Sequence, residues 1–495
     1  MLNRSLTKIL LITMTIIIST NMAFAIIYTG GVGDGCDMAE GALAVYWDGD
    51  GADLKWNTPA NWSTNEVPDE LDDVIIDDTY VTATQSITAE TTPISYKTLS
   101  ISSAAHKHYL SLSVAASGGS VTIGVGGYIS AGSQTITCSG SWNASAGGFN
   151  PSTGTVYLTG TGTVSTEAEF AFTDFNHLHC AAAGHTTTIV GAQLWMRDIT
   201  VGSGTLTDGA NSYEITLYGS DNVFTDGGAT ITIGTFTYRP HRGAVQNVVG
   251  RDYSGCSNLQ LYGVGEGGAG AEDSYCDMQG DITANNIRIY ANNYSAEDVS
   301  AVVLRTNNYN IVANYLIIGL GSYMYGGIEC GSSNIDINGH VQYSNVGDTF
   351  INADSSNWTV NGNWSNGVNG TFNCGTSTIT LDGTAQTIYG INTFYNLSKT
   401  VTSADTLTFD NTDTQTVSNN LILKGAPGQK LSLRSNSDGN QYSLNLNQDT
   451  RYTLEHLDIK DCDASGGKTI DADKSKNSGN NNNVTFDADS FFDVF

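Results

Sequence analysis

"NIDINGHVQYSNVGDTFINADSSNWTVNGNW" (334–364) decides the fold. It holds two alternating segments, Asn334-Ile335-Asp336-Ile337 and Asn357-Trp358-Thr359-Val360, each opening on Asn and 23 residues apart. The same opening recurs upstream at Asn310-Ile311-Val312-Ala313 and Asn286-Ile287-Arg288-Ile289, in steps of 24. A period in this range marks one coil of a solenoid, which cannot bury its apolar side alone and must stack on its neighbours. The local period is two, which belongs to strands and turns one set of side chains inward and the other outward. Thr378-Ile379-Thr380-Leu381, Lys430-Leu431-Ser432-Leu433 and Tyr442-Ser443-Leu444-Asn445-Leu446 share it.

A longer duplication supports the same reading. Ile136 to Trp142 matches Trp358 to Trp364, and each copy continues through Phe149-Asn150 or Phe372-Asn373 into Thr155–Gly160 or Thr378–Gly383. Phe175-Asn176-His177-Leu178 then matches Phe394-Tyr395-Asn396-Leu397. The offset drifts from 222 to 223 to 219 residues, so turn lengths vary while strands persist.

Composition agrees. The chain has 56 Gly, 6 Pro and 40% hydrophobic residues, too apolar for a disordered polar chain and rich in the β-branched runs that strands use. About 430 residues in such coils predict about 17 to 19 of them, stacked at ~4.8 Å over ~80–90 Å. Asn and Gly suit coil corners, where left-handed backbone is needed.

Formal charge is −29, which disfavours nucleic acid as a partner, because phosphate recognition draws on Lys and Arg. The eight cysteines are dispersed and include no C-x-x-C, so neither zinc nor a dense disulfide framework is expected. Cys256 and Cys276, flanking a Gly-rich stretch, are the best candidate disulfide, with buried free thiols as the alternative.

The N-terminus reads as a secretion signal. Arg4 and Lys8 precede an apolar run, Ile9 to Ser19, and Ala23-Phe24-Ala25 supplies a small-x-small cleavage pattern. The run is shorter than the ~20 residues of a membrane span. The expected organisation is a signal peptide at 1–25, an N-terminal cap at 26–80, a solenoid at 81–486 and a tail at 487–495, with no transmembrane helix in the mature chain.

Within "SGSWNASAGGFNPSTGTVYLTG" (139–160), "NGNWSNGVNGTFNCGTSTITLDG" (361–383), "INTFYNLSKT" (391–400) and "LEHLDIKDCDASGGKTIDADKSKNSGNNNNVTF" (454–486), the chain resembles bacterial secreted and cell-surface β-helix repeat proteins. These share a pectin-lyase-like solenoid with adhesin and autotransporter passenger regions. The resemblance implies an all-β, right-handed parallel β-helix with coils of about 20–25 residues, on or outside a bacterial cell.

Few motifs carry chemistry. Asp48, Asp50 and Asp53 offer hard oxygen ligands, so calcium is one reading. An EF-hand loop would want Asp or Asn fifth and Gly sixth, where Ala52 and Asp53 stand, and Glu twelfth, where Pro59 stands. An Asp/Gly turn is the preferred reading. Trp47, Trp56 and Trp62 suit a sugar platform or, by preference, a buried closure of the solenoid end. The acidic pairs Asp72-Asp73 and Asp77-Asp78 flank a strand on which adjacent side chains diverge. Asp336 and Asp458 are expected to face outward, with no basic cluster beside them. His106 and His108, like His177 and His179, could each share a strand face but lack a third ligand. Gly263 to Gly270 lacks the Lys-Ser/Thr of a phosphate loop and is expected to leave the stack as an excursion.

The expected function is a secreted or cell-surface structural and adhesive β-helix that displays loops for glycan or surface contact, with no catalytic residue assigned and no enzyme activity. The alternative is a carbohydrate-active β-helix enzyme, a polysaccharide lyase or glycoside hydrolase. That alternative needs acidic and basic side chains converging from successive coils.

Overall fold

A computed structural model describes residues 43–166, 174–191, 193–219, 222–241, 243–265, 272–293, 301–319, 324–343 and 349–487. The expected signal segment lies outside them, as do Cys36, residues 266–270 of the Gly-rich excursion and 488–495 of the tail, while residues 263–265 of that stretch stay in the ladder, opposite 291–293, rather than leaving it. The described chain is a parallel β-solenoid of about 15 turns with almost no helix. A single 3-10 turn, Pro59–Asn61, is the only helical segment among the described residues. None of these residues forms a helix long and apolar enough to cross a membrane.

Each turn supplies short strands to parallel ladders, and the inward residues of each ladder stack directly. On one ladder Ile136, Val156, Leu178, Ile199 and Phe224 follow each other rung by rung, all buried. On the next, Val74, Leu99, Val121, Trp142, Val164 and Ile189 do the same. A third runs from Leu194 through Ile215, Phe236, Leu259, Ile287, Leu316, Val341 and Trp364 to Ile388. Burying each such side chain contributes about 1.5–3 kcal/mol, so the stacked interior is the main source of stability.

The count of turns falls below the expected 17 to 19 because some turns are longer than the period suggested. Leu259 pairs with Ile287 and Ile287 with Leu316, steps beyond 20–25 residues. The Asn register holds for three of its four members. Asn334 Nδ2 donates to Asn310 Oδ1 (3.1 Å) and Asn357 Nδ2 to Asn334 Oδ1 (3.3 Å). Asn286 instead stands opposite Tyr315. The strand Ile282–Asn293 serves two ladders in succession, and its first half, from Ile282, is what pairs with Ile311. Left-handed backbone does fall on Asn at corners, as at Asn307 (φ 54°) and Asn308 (φ 68°).

The duplication is a duplication of packing. Trp142 meets Phe149 edge-on at 4.7 Å and Phe175 at 6.0 Å, and Trp364 meets Phe372 at 4.9 Å and Phe394 at 5.9 Å. Both indoles are fully buried.

The parallel stack begins early. Ala44–Tyr46 pairs with Asp73–Ile76, which pairs with Ile94–Ile101. Between the first two rungs, Trp47, Trp56 and Trp62 pack edge-to-face at 5.1 and 4.7 Å, and Trp62 Nε1 donates to the Trp56 carbonyl (2.7 Å). All three are at most 1% exposed, so no ring face is open to a sugar.

Candidate functional site

The sequence candidates scatter. Asp48 Oδ1 accepts from the Asp50 amide (3.2 Å) and Asp53 Oδ1 from the Lys55 amide (3.3 Å), both turn contacts. Among the described residues no three His, Cys, Asp or Glu side chains group as a metal site, and these three aspartates are not brought together as one. Hydrogen bonding, first from Thr58, holds the Asp53 carboxyl below its ordinary range.

Cys256 and Cys276 are both buried and unpaired, which corrects the disulfide expectation. Cys276 takes its place in the ladder Gln246, Cys276, Leu304, while Cys256 lies in the turn before Asn258–Gly265. Burial pushes both thiols up, Cys256 to about 11.

Asp73 pairs with Lys97 (3.2 Å) and accepts from Thr98 (2.7 Å). Asp458 does have basic company, contrary to expectation: Arg434 at 3.1 Å and Lys476 at 3.4 Å. These bases arrive from the rungs on either side, a separation in sequence that hides them. Asp336 is exposed on Asn334–Ile337.

His106 and His108 part company. His108 is buried with Nε2 3.1 Å from Asp78, while His106 lies half-exposed before the strand. His177 and His179 do share an outer row. His177 contacts Thr200 (2.9 Å) and His179 stacks on Tyr157 at 4.0 Å. Burial, with His177 adding, lowers the His179 pKa.

Aromatic, basic and acidic side chains converge from successive coils on the outer side of the third ladder. Five rungs build it: Gln193–Val201, Glu214–Tyr218, Thr235–Arg239, Asn258–Gly265 and Ile282–Asn293. Alternation sends Leu, Ile and Phe inward, and register aligns Trp195, Thr216, Thr237, Gln260 and Arg288 in one outward row. Beside it run Tyr218, Arg239, Tyr262 and Tyr290, the first two and the last two paired directly.

Arg239 is the hub. Its guanidinium carbon lies 4.6 Å from the Trp195 ring and 5.3 Å from both the Tyr218 and the Tyr262 ring. Tyr262 and Tyr290 continue the aromatic strip at 5.1 Å. All five side chains are half-buried, which leaves part of each available.

Next to the strip is a carboxylate held in place. Glu214 Oε1 accepts hydrogen bonds from Thr216 (3.1 Å) and Thr237 (2.6 Å). Both threonines point outward by alternation yet are at most 1% exposed, so Glu214 is anchored from beneath. Arg288 makes no hydrogen bond or ion pair among the described residues, and its Nε is buried without a partner. Burial pushes the Tyr290 phenol up to about 12, Tyr262 and Glu214 push the same way, and Arg288 opposes them. Glu214 and Arg288 therefore both reach Tyr290 electrostatically without pairing with each other.

None of these residues was singled out in the sequence for this role. A signal exists in the aligned pentads "EITLY" (214–218), "TFTYR" (235–239), "NLQLY" (258–262) and "NIRIY" (286–290), each with two apolar positions and a closing Tyr or Arg. The Asn-led register drew Asn286 into a different alignment and hid it.

Rings on a rigid strip offer flat apolar surface with polar edges. A guanidinium presents a fork of donors to carboxylate or sulfate oxygens and stacks on aromatic faces. A fixed carboxylate oxygen accepts hydroxyl donors. The chain matches no protein-family model, no curated protein sequence and no solved structure.

Proposed function

We propose that this protein is a secreted, surface-exposed β-helix of a bacterial cell, structural and adhesive in role, that holds extracellular glycan chains along its aromatic–arginine face. The observation that carries the reading is Arg239 poised among the rings of Trp195, Tyr218 and Tyr262. Rungs recur at ~4.8 Å, close to the length of one sugar unit in an extended chain, so a glycan laid along the stack meets an equivalent position on each coil. Many weak contacts then sum to useful avidity without one deep pocket. The acidic remainder of the chain repels nucleic acid and leaves glycans or other cell-surface components as partners.

The test is binding of the full chain to an array of neutral and acidic polysaccharides, repeated with Arg239→Ala. Glycan capture lost in the variant, with folding intact, supports the reading. Unchanged capture by Arg239→Ala refutes it.

A second reading, a carbohydrate-active enzyme, draws on the electrostatic reach of Glu214 and Arg288 to Tyr290, Glu214 standing three rungs from the strand that carries the other two. Incubation with the captured polysaccharide decides between them. Release of shortened or unsaturated chains, abolished by Glu214→Gln, makes the protein an enzyme, and retention of intact polymer leaves it a binder.

A further inference from the structure

A second outer surface differs in kind from the first. On the ladder formed by Gly162–Ser165, Thr186–Ile189, Thr205–Thr207 and Thr230–Thr232, register aligns Thr163, Thr188, Thr207 and Thr232 in one outward column. The neighbouring column holds Thr186, Thr205 and Thr230, with Thr161 one residue before Gly162, itself paired with Thr187. Four consecutive rungs thus read Thr-x-Thr, and the residues between, Gly162, Thr187, Leu206 and Ile231, face the other way.

We propose that this two-by-four threonine lattice binds the surface of ice. Three observations carry it. The spacing is two-dimensional and regular: ~4.8 Å between rungs and ~6.6 Å between outward residues on one strand, both close to oxygen repeats on faces of the ice crystal. The hydroxyls are available. Only Thr161, facing His185 (3.4 Å) and accepting from the Thr186 amide (3.2 Å), and Thr207, accepting from the Gly209 amide (3.2 Å), have protein partners. The hydroxyls of the other six make no hydrogen bond to the described protein, and all eight side chains are exposed or half-exposed.

The lattice is also uncharged. In a chain of net charge −29, no outward position of these four strands ionises, which suits a neutral crystal and no ionic ligand. Threonine is the fitting side chain. Its branched Cβ restricts χ1, so methyl and hydroxyl are presented in a fixed order with little entropy left to lose on contact. A single hydroxyl would exchange with bulk water at no gain, whereas eight in register act together. The inference does not depend on the aromatic–arginine face, which belongs to another ladder.

The experiment is ice-affinity partitioning of the fluorescently labelled full chain, with thermal hysteresis and crystal shape read by microscopy. Incorporation into the growing ice and faceting of the crystals are expected. Thr188→Tyr, in the centre of the lattice, and Thr207→Lys, one rung on, should each abolish incorporation. Thr359→Tyr, an outward threonine of another part of the stack, should leave it intact. Circular dichroism and melting temperature confirm folding, and the two lattice variants guard against one misfolding. Exclusion of the wild-type chain from ice overturns the proposal, as does incorporation of either folded lattice variant at the wild-type level. Retention on crystalline cellulose or chitin without entry into ice also overturns it, and would assign the lattice to a polysaccharide crystal.

Discussion

Lys399 offers the sharpest test of how the interior is held together. It lies on Asn392–Thr400 at an inward position and is 0% exposed. Its ammonium donates to the Gly383 carbonyl and to Gln386 Oε1, each at 2.7 Å. Asp405 Oδ2 forms an ion pair with it at 2.9 Å, and Oδ1 accepts from the Ala385 amide at 2.8 Å. Burial pushes the Asp405 carboxyl up, but the Ala385 amide and Lys399 outweigh it and hold the group below its ordinary range. Removing one partner of such a pair leaves a buried charge uncompensated, at a cost of about 3–5 kcal/mol. Asp405→Asn and Lys399→Met should each lose that much. The double variant has no stranded charge and should lose only the ~1–3 kcal/mol of orphaned polar groups around Gln386. Solenoids need not unfold in one step, so the assay is hydrogen exchange of the amides from 379 to 409, which reads local opening. Losses in the double variant equal to the sum of the singles would refute the reasoning, as would singles that lose under about 1 kcal/mol.

Three further outcomes follow from the same geometry. Trp62→Ala empties the indole site between the first rungs and should destabilise that end by about 3–5 kcal/mol, seen as early exchange of amides 44–76 with the C-terminal coils unaffected. Asp78 is held at about 2, against an ordinary 3.8, chiefly by the Ser103 hydroxyl, then by the Ala105 and Ala104 amides and His108. Its folded pKa is depressed, so its contribution is complete above 3.8 and fades as pH falls toward 2. Melting temperature should drop through that window, and Asp78→Asn should flatten the drop. Thr237→Val keeps the buried shape but removes the 2.6 Å hydrogen bond that orients Glu214. Glycan retention on the aromatic–arginine face should weaken more than stability does, and equal retention by the variant would argue against a role for the anchored carboxylate.

The fold was legible because it rests on period and alternation, both properties of a single chain. The Trp142–Phe149–Phe175 and Trp364–Phe372–Phe394 triads could be matched in sequence because the same core is built twice with similar strand order. The candidate site was not legible, for a physical reason. Trp195, Tyr218, Arg239, Tyr262 and Tyr290 meet only after rung register is known, and register depends on turn lengths that vary along the chain. Asp458 shows the same limit, since Arg434 and Lys476 reach it from coils above and below. At the strongest local motifs the structure agrees with the preferred turn and buried-closure readings. The D-x-D-x-x-D run makes turn contacts, and the tryptophan cluster beside it fills a core.

Threonine is a favoured strand residue, and that alone is a competing account of the lattice. Propensity acts on every strand alike, so it predicts threonine on all outer faces of these coils. The same stretch of stack does not look that way. The ladder on one side turns out Thr155, Tyr157, His177, His179, Asp198 and Thr200. The ladder on the other mixes threonine with other types, turning out Gln193, Trp195, Glu214, Thr216 and Tyr218. Inside, all three ladders are built mainly of aliphatic and aromatic residues, with Gly162 and Thr187 as exceptions beneath the threonine lattice. Outward positions of a solenoid contribute little to burial and are free to vary without loss of fold. Residue type is segregated by face over four rungs on one ladder and five on another, and a repeating external partner is the cause the two proposals put to test. Under the two proposals that partner is a lattice of water for the threonines and a chain of sugars for the rings and arginines, and the lattice and Arg239 variants separate them from strand propensity alone.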